Sequence, residues 1–91
     1  MIVEVTSDFN KDILKLKDRK LLLAIKETLQ RLEAAQTLTE LSNLKKLKGT
    51  SNYYRLRIGD YRMGLFVEGD TVTISRFLHR KDIYRYFPRG N

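Results

Sequence analysis

The chain has 91 residues, the length of one domain, and 42% of them are hydrophobic, which excludes global disorder. Cysteine is absent and His79 is the single histidine, which excludes disulfides, thiolate catalysis and histidine-rich metal sites. A Mg²⁺ site of carboxylates alone stays open, but no acidic cluster that could build it is visible, and we expect no metal or cofactor. The longest apolar run, Leu21–Ile25, is far shorter than the roughly 20 residues of a membrane span. We therefore expect a cytoplasmic protein without a membrane partner.

The formal net charge of +7 is distributed unevenly along the chain. Residues 1–44 contain seven basic and seven acidic residues, whereas residues 45–91 contain eleven basic and four acidic ones. A one-sided basic surface attracts polyanions such as nucleic acid, an acidic membrane or an acidic protein. The alternative is a basic surface that only keeps the protein in solution.

The first part of the chain predicts a strand followed by two helices. Ile2–Thr6 alternates and is rich in β-branched residues, as in a short strand. Ser7 or Asp8 can then cap a first helix, and Lys20–Ala35 has the apolar spacing of a second one. The leucines of Leu38–Leu47 recur at every third position, which is compatible with either a short helix or a packed connector.

From Tyr53 the apolar period changes to two, and glycine–aspartate pairs mark tight turns between the segments. An antiparallel meander follows, and a short helical turn, His79–Phe87, precedes Pro88. The predicted order β-α-α-β-β-β gives one small two-layer α+β domain over residues 1–91, with a helical hairpin on one sheet face. The predicted meander strands are Tyr53–Ile58, Tyr61–Val67 and Thr71–Leu78.

Alternation along these strands collects arginines on one face of the sheet. Arg55, Arg57 and Arg62 share that face with Gly64, and His79 follows in phase if the last strand reaches it. No carboxylate is in phase with these arginines, and a planar guanidinium suits phosphate oxygens. The alternative is that the arginines pair with acids elsewhere or extend into water.

Alternation along the last predicted strand also predicts the sides of the sheet on which Phe77 and Arg76 lie. Phe77 is expected to point away from the core, on the same face as the arginines. Arg76 is in phase with Val72 and Ile74, so we expect it to face the helices or the sheet edge, where a helix carboxylate could pair with it.

Cations and aromatic residues are interleaved near the C-terminal end of the chain. Aromatic rings that stack on bases, together with arginines on the backbone, are typical of proteins that bind single-stranded RNA. The alternative is that these rings only dock the terminal turn on the core. The candidate RNA-binding residues are Lys45, Lys46, Lys48, Tyr53, Arg85 and Tyr86.

Four segments carry a family resemblance: Leu47–Gly49, Tyr54–Arg57, Gly59–Arg62 and His79–Tyr84. In this order and spacing they resemble the RelE/ParE superfamily of bacterial and archaeal toxins, whose length and element order also agree. The RelE branch contains metal-independent endoribonucleases that cut mRNA, usually in the ribosomal A site. There the 2′-hydroxyl attacks the adjacent phosphate and leaves a 2′,3′-cyclic phosphate. The resemblance implies a type II toxin with an acidic antitoxin, mRNA and the ribosome as partners.

The resemblance also implies roles for individual residues. Arg62 falls on a phosphate-binding position, Arg80 on a basic catalytic position, and Tyr84 on the aromatic that stacks on or orients the nucleotide at the scissile bond. The implied catalytic set is Arg55, Arg57, Arg62, His79, Arg80 and Tyr84.

The chain departs from its relatives at the proton-transfer groups. RelE has lysines where this chain has Arg55 and Arg57, and YoeB-like relatives use a carboxylate base. Arginine stays protonated and is a poor general base, which leaves His79 as the best candidate for proton transfer. Two alternatives stay open: a ParE-like inhibitor of DNA gyrase, and a relative that binds RNA without cleaving it.

Overall fold

The computed structural model describes residues 1–88. Five strands form one sheet in the order β1-β5-β4-β3-β2, in which β1 runs parallel to β5 and every other neighbouring pair is antiparallel. The elements are β1 (Ile2–Val5), α1 (Ser7–Leu14), α2 (Arg19–Ala34), a 3-10 helix (Leu38–Glu40), β2 (Leu44–Lys46), β3 (Tyr53–Ile58), β4 (Tyr61–Glu68), β5 (Thr71–His79) and α3 (Ile83–Tyr86).

The predicted α+β fold with a helical hairpin on a mostly antiparallel sheet is confirmed. The leucine-spaced connector resolves into the 3-10 helix and the short strand β2. The predicted terminal turn starts later than expected, because β5 continues through His79 and α3 begins at Ile83. No helix within residues 1–88 has both the length and the apolar character needed to cross a membrane.

Side-chain caps define where the two long helices begin. Thr6, rather than Ser7 or Asp8, caps α1, and its Oγ1 accepts the Phe9 N–H at 3.0 Å. Asp18 caps α2 through an oxygen that accepts backbone N–H groups at 3.0 and 3.2 Å. These bonds satisfy donors that a helix leaves unpaired in its first turn, so they stabilise the start of each helix.

The core lies between the helices and one face of the sheet. Ile25 and Leu32 of α2 cover apolar side chains that β3, β4 and β5 point to the same side. Every predicted inward-facing residue of β3 and β4 lies in this cluster or packs against it, because side chains alternate along a strand. The sheet residues with no exposed surface are Leu56, Met63, Leu65, Val72 and Ile74.

A β-bulge in β5 changes the alternation. Leu65 pairs with Ile74 and Gly64 pairs with Arg76, so Ser75 has no partner across the ladder. An unmatched residue reverses the inward and outward sides for the remainder of the strand. Phe77, which is 1% exposed, therefore enters the core, and the prediction that it points away from the core is wrong.

Candidate active site

The arginine face is the side of the sheet opposite α2. Lys45 lies beside Arg55 across β2 and β3, Arg55 lies beside Gly64, and Arg57 lies directly opposite Arg62. Like charges facing each other on neighbouring strands are unfavourable. Such a cluster is expected where an anion is to be bound.

Arg62 is the arginine of this face whose side chain is hydrogen-bonded to the backbone. Its Nη1 donates to the carbonyl oxygens of Gly59 at 3.0 Å and Tyr61 at 2.9 Å. Partial burial and the neighbouring Arg55 and Arg57 lower the pKa of Arg62. Arg80 acts in the same direction and Tyr84 acts against it, so both residues lie within electrostatic reach of Arg62.

The positive charge of this face is not neutralised within the described chain. The side-chain ion pairs between residues 1–88 are Arg76–Asp12 and Arg80–Asp60, and neither includes Arg55, Arg57 or Arg62. The Arg80 pair is long, at 3.8 Å, and both of its side chains are exposed. Such an exposed pair contributes little and leaves Arg80 free to turn toward a ligand.

An open cleft of about 570 Å³ adjoins the arginine face, and Arg55 is the arginine that lines it. Tyr84 of α3 forms one wall of the cleft. Tyr84 is 58% exposed, which is high for a large aromatic residue. A basic segment around β2 forms the other wall. The cleft-lining residues that can contact a nucleotide are Lys45, Lys46, Lys48, Thr50, Arg55 and Tyr84.

Tyr84 is positioned by the burial of its neighbours on α3. A helix of four residues is not stable alone, so side-chain anchors must hold it. Ile83 is fully buried, and the ring of Phe87, which is 2% exposed, covers Gly64. A Cβ at Gly64 would lie 2.7 Å from the Phe87 ring, so the absence of a side chain at Gly64 lets α3 approach the sheet.

A buried ion pair supports the other side of α3. Arg76 donates from Nε and Nη2 to the two carboxylate oxygens of Asp12 at 2.9 and 3.0 Å, and the Phe77 N–H donates to the same carboxylate at 2.9 Å. This hydrogen-bonded pairing raises the pKa of Arg76. The guanidinium lies 5.1 Å from the centre of the Tyr86 ring, so α1, β5 and α3 are joined through one cation.

Comparison with known proteins gives the family. Residues 3–84 match the family model described as the ParE toxin of the type II toxin–antitoxin system parDE. The chain is also 48% identical over 65 residues to Toxin RelE3 of Methanocaldococcus jannaschii, which covers 70% of this chain and 74% of that protein. The chain belongs to the RelE/ParE superfamily of toxins.

Solved structures agree with this membership. The RelB–RelE antitoxin–toxin complex of Methanococcus jannaschii contains a chain that is 38% identical to this toxin, with a TM-score of 0.79 over 93% of this chain and 99% of that one. The archaeal RelE–RelB complex of Pyrococcus horikoshii supports the fold, with 24% identity, a TM-score of 0.72 and coverage of 90% and 97%.

The structure of this RelE/ParE toxin separates His79 from the other predicted catalytic residues. Because the bulge reverses the alternation, His79 pairs with Tyr61 on the helix side of the sheet, and Leu78 lies beside Arg62 instead. The His79 ring packs edge-on against Tyr61 at 5.5 Å, and its Nδ1 accepts the Lys81 N–H at 3.1 Å. The predicted placement of His79 on the arginine face is wrong.

The toxin's predicted RNA-binding residues lie in three different places. The three lysines around β2 line the cleft of Tyr84. Tyr53 and Tyr86 instead line a separate cleft of about 280 Å³ with Arg76, on the far side of Phe87. Tyr53 packs against Phe66 at 5.1 Å and Phe87 at 5.5 Å, whereas Arg85 is exposed at the surface.

Sequence reasoning missed the residues that support the site. The expectation that Arg76 pairs with a helix carboxylate is confirmed, but the bulge turns Arg76 away from its predicted side, that of Val72 and Ile74. Nothing in the sequence distinguishes Asp12 from the other acids of the helices. The glycine at position 64, inside an otherwise apolar strand, is a usable signal, since such a glycine often marks a close approach. Within residues 1–88, no group of three or more potential metal ligands lies together.

Proposed function

We propose that this RelE/ParE toxin is a metal-independent endoribonuclease that cleaves mRNA in the ribosomal A site. The observation that carries the proposal is a cluster of arginines without acidic partners, within residues 1–88, beside an exposed tyrosine in an open cleft. An unneutralised cation cluster binds a phosphate, and an exposed ring provides a stacking surface for an unpaired base.

The proposed mechanism assigns charge stabilisation to the arginines. When the 2′-hydroxyl attacks the adjacent phosphate, negative charge develops on the phosphorane oxygens, and cations held in place stabilise it. Arg62 is held by the carbonyl oxygens of Gly59 and Tyr61, so its guanidinium is in position before the phosphate binds, and its other N–H groups can donate to a phosphate oxygen. Arg55, Arg57 and Arg80 would contact the flanking phosphates.

Tyr84 is proposed to hold the scissile nucleotide for in-line attack. Its ring stands free in the cleft while Ile83 and Phe87 fix the helix that carries it. A rigid support for an exposed ring lowers the entropy lost when a base stacks on it. His79 lies on the other side of the sheet, so the proposed active site does not include it.

We further propose an acidic antitoxin as the partner of this toxin. The related toxins of two archaea were solved as complexes with RelB antitoxins. A formal charge of +7 attracts an acidic protein at long range and favours rapid association. Cleavage of translated mRNA would place the toxin in the cytoplasm.

Primer extension on mRNA from a translating extract tests the nuclease. We expect new cleavage sites with the wild-type toxin and a loss of about 10²–10³-fold in cleavage rate for Arg62→Ala, the scale of removing one donor to a transition-state oxyanion. Arg31→Ala, which removes an exposed cation from α2, is the matched control and should cleave like the wild type.

The match to the ParE family model favours one alternative function, inhibition of DNA gyrase. Inhibition of supercoiling in a purified gyrase assay, together with intact mRNA in the translating extract, would replace the nuclease proposal. Cleavage that persists in Arg62→Ala would retain the nuclease and refute the proposed active site.

A further inference from the structure

The elbow between α1 and α2, defined as Lys15–Lys20, carries a second concentration of positive charge. Four of its six residues are basic, although the first 44 residues as a whole sum to zero charge. Only one of the seven acids of that half lies in the elbow, and the cations are exposed. The elbow cations are Lys15, Lys17, Arg19 and Lys20.

The elbow cations have no ion-pair partners within the described chain. Asp18 is the one acid within the elbow, and its carboxylate accepts the backbone N–H groups of Lys20 and Leu21 as the cap of α2. The side-chain ion pairs formed between residues 1–88 lie at Asp12 and Asp60 and include none of the elbow cations.

The placement of these cations opposes the stability of α2. Arg19 and Lys20 occupy its first turn, where the helix dipole is positive, and the one acid at this end is the cap residue Asp18. Cations at this end are unfavourable, whereas acids there are stabilising. A destabilising arrangement that the fold does not need is expected where the surface binds an anion.

The elbow and the arginine face meet at one turn. Lys20 lies in a shallow groove with Gly59 and Asp60, the turn between β3 and β4. On the other side of this turn, Arg62 donates to the Gly59 carbonyl oxygen and Arg80 pairs with Asp60. Lys20, Arg80 and Arg62 therefore follow one another around this turn, among the carboxylates of Asp18 and Asp60, and form a basic band that joins the arginine face to the elbow.

The two ends of this band differ in chemistry. Residues 10–52, which include the elbow, contain no Phe, Tyr or Trp, whereas the cleft contains Tyr84. Without an aromatic ring the elbow cannot stack unpaired bases, but flexible lysines suit the phosphates of a duplex, whose bases are already stacked. Protein–RNA contacts to helices rely on phosphates and shape in this way.

We infer that the elbow docks on the phosphate backbone of base-paired RNA while the cleft receives a single strand. This inference rests on the proposed function and adds a second RNA contact to it. A structured RNA that presents a helix beside an unpaired segment would engage both ends of the band at once. Simultaneous contact raises the affinity for such an RNA beyond that of either contact alone.

Two triple variants with equal loss of charge test the inference. Lys15→Gln, Lys17→Gln and Lys20→Gln form the elbow variant, and Lys45→Gln, Lys46→Gln and Lys48→Gln form the matched cleft variant. Fluorescence anisotropy measures the binding of a fully paired RNA hairpin and of an unstructured oligonucleotide. Both RNAs carry 2′-O-methyl groups, so the result does not depend on cleavage.

We expect each variant to lose affinity for one of the two RNAs and to keep its affinity for the other. The elbow variant should bind the hairpin at least about tenfold more weakly at about 50 mM salt, with a smaller salt slope, and keep its affinity for the oligonucleotide. The cleft variant should show the reverse. Circular dichroism melts confirm that both variants fold.

Three results would overturn the inference. Equal weakening of both RNAs in both variants would mean that only net charge matters. Unchanged hairpin binding in the elbow variant would remove the duplex contact. If the elbow variant loses affinity for the hairpin and for poly-glutamate to the same extent, the elbow attracts anions in general. An acidic protein would then be the favoured partner, because Leu14 and Leu23 beside the elbow are exposed and could contact it.

Discussion

The two faces of the sheet are built by the same strands and differ in what covers them. On one face, α2 seals a core whose central side chains have no exposed surface. On the other face, the four-residue helix α3 covers only the centre, and Arg55, Arg57 and Arg62 have no acidic partners within residues 1–88. The sealed face stabilises the fold, which allows the open face to hold like charges close together.

The bulge at Ser75 determines which residues at the end of β5 belong to which face. One unmatched residue moves Phe77 into the core and takes His79 away from the arginines. The Thr6 hydroxyl donates to the Ser75 carbonyl oxygen at 2.8 Å and also caps α1, so the start of a helix and the irregularity of a strand are joined.

The largest expected effect is on the buried pair that joins the two faces. Asp12→Ala leaves the half-buried Arg76 without its carboxylate, and breaking a buried pair in this way costs about 3–5 kcal/mol. Urea denaturation monitored by circular dichroism measures this free energy of unfolding. Glu27→Ala removes an exposed acid from the middle of α2 and should change stability by about 0.5 kcal/mol or less. Equal losses in the two variants would contradict the account.

Substitutions on the open face should change RNA binding and cleavage rather than the stability of the fold. Tyr84→Ala should lower RNA affinity by about 1–3 kcal/mol, the contribution of one base stacked on an aromatic ring, and leave the unfolding midpoint unchanged. Tyr84→Phe keeps the ring and is the matched variant. Full cleavage by Tyr84→Phe would support stacking, whereas an equal loss in both variants would assign the role to the hydroxyl group.

A third prediction concerns the contact that seats α3 on the open face. Gly64→Ala forces the Phe87 ring to move, costs about 1–3 kcal/mol as an overpacked site, and displaces Tyr84. Gly69→Ala is the control, because its φ of +60° makes it strained while its Cβ would meet open space. Cleavage assays should show a loss for Gly64→Ala only. If both variants cleave at the wild-type rate, the support of Tyr84 by Phe87 is refuted.

The smallest expected effect is at His79. His79→Ala should cost about 0.5–1.5 kcal/mol through the lost edge-on contact with Tyr61, and leave cleavage unchanged. Thermal denaturation and primer extension measure the two quantities. A loss of cleavage comparable to that of Arg62→Ala would restore His79 as a proton-transfer group and contradict the division of the two faces.

The sequence predicts the meander well because its signals are local. The bounds of β3 are as predicted, since a glycine–aspartate turn ends it and alternation runs through it without interruption. The same alternation is sufficient to group Arg55, Arg57 and Arg62 on one face, and the strand register confirms the grouping. Family resemblance, rather than periodicity, singles out Tyr84.

The predictions that failed depend on contacts between distant parts of the chain. The bulge in β5 is bonded to Thr6, 69 residues away, and nothing in the alternation of β5 marks it. In the sequence, Asp12 does not differ from other polar residues of an amphipathic helix. Its role depends on Arg76 and the Phe77 N–H, which only the folded chain brings to it. The net charge does not reveal the elbow, because its four cations are balanced by acidic residues elsewhere in the first half of the chain.

The most direct test of the central claim, that the open face is the RNA site, is chemical-shift mapping by NMR. The toxin is titrated with a single-stranded RNA that carries a 2′-deoxy group at the scissile position, so that it binds without being cleaved. The account predicts that the largest shifts fall on the amides of Lys45, Arg55, Arg62 and Tyr84. Shifts confined to α2 and the helix side of the sheet would contradict it.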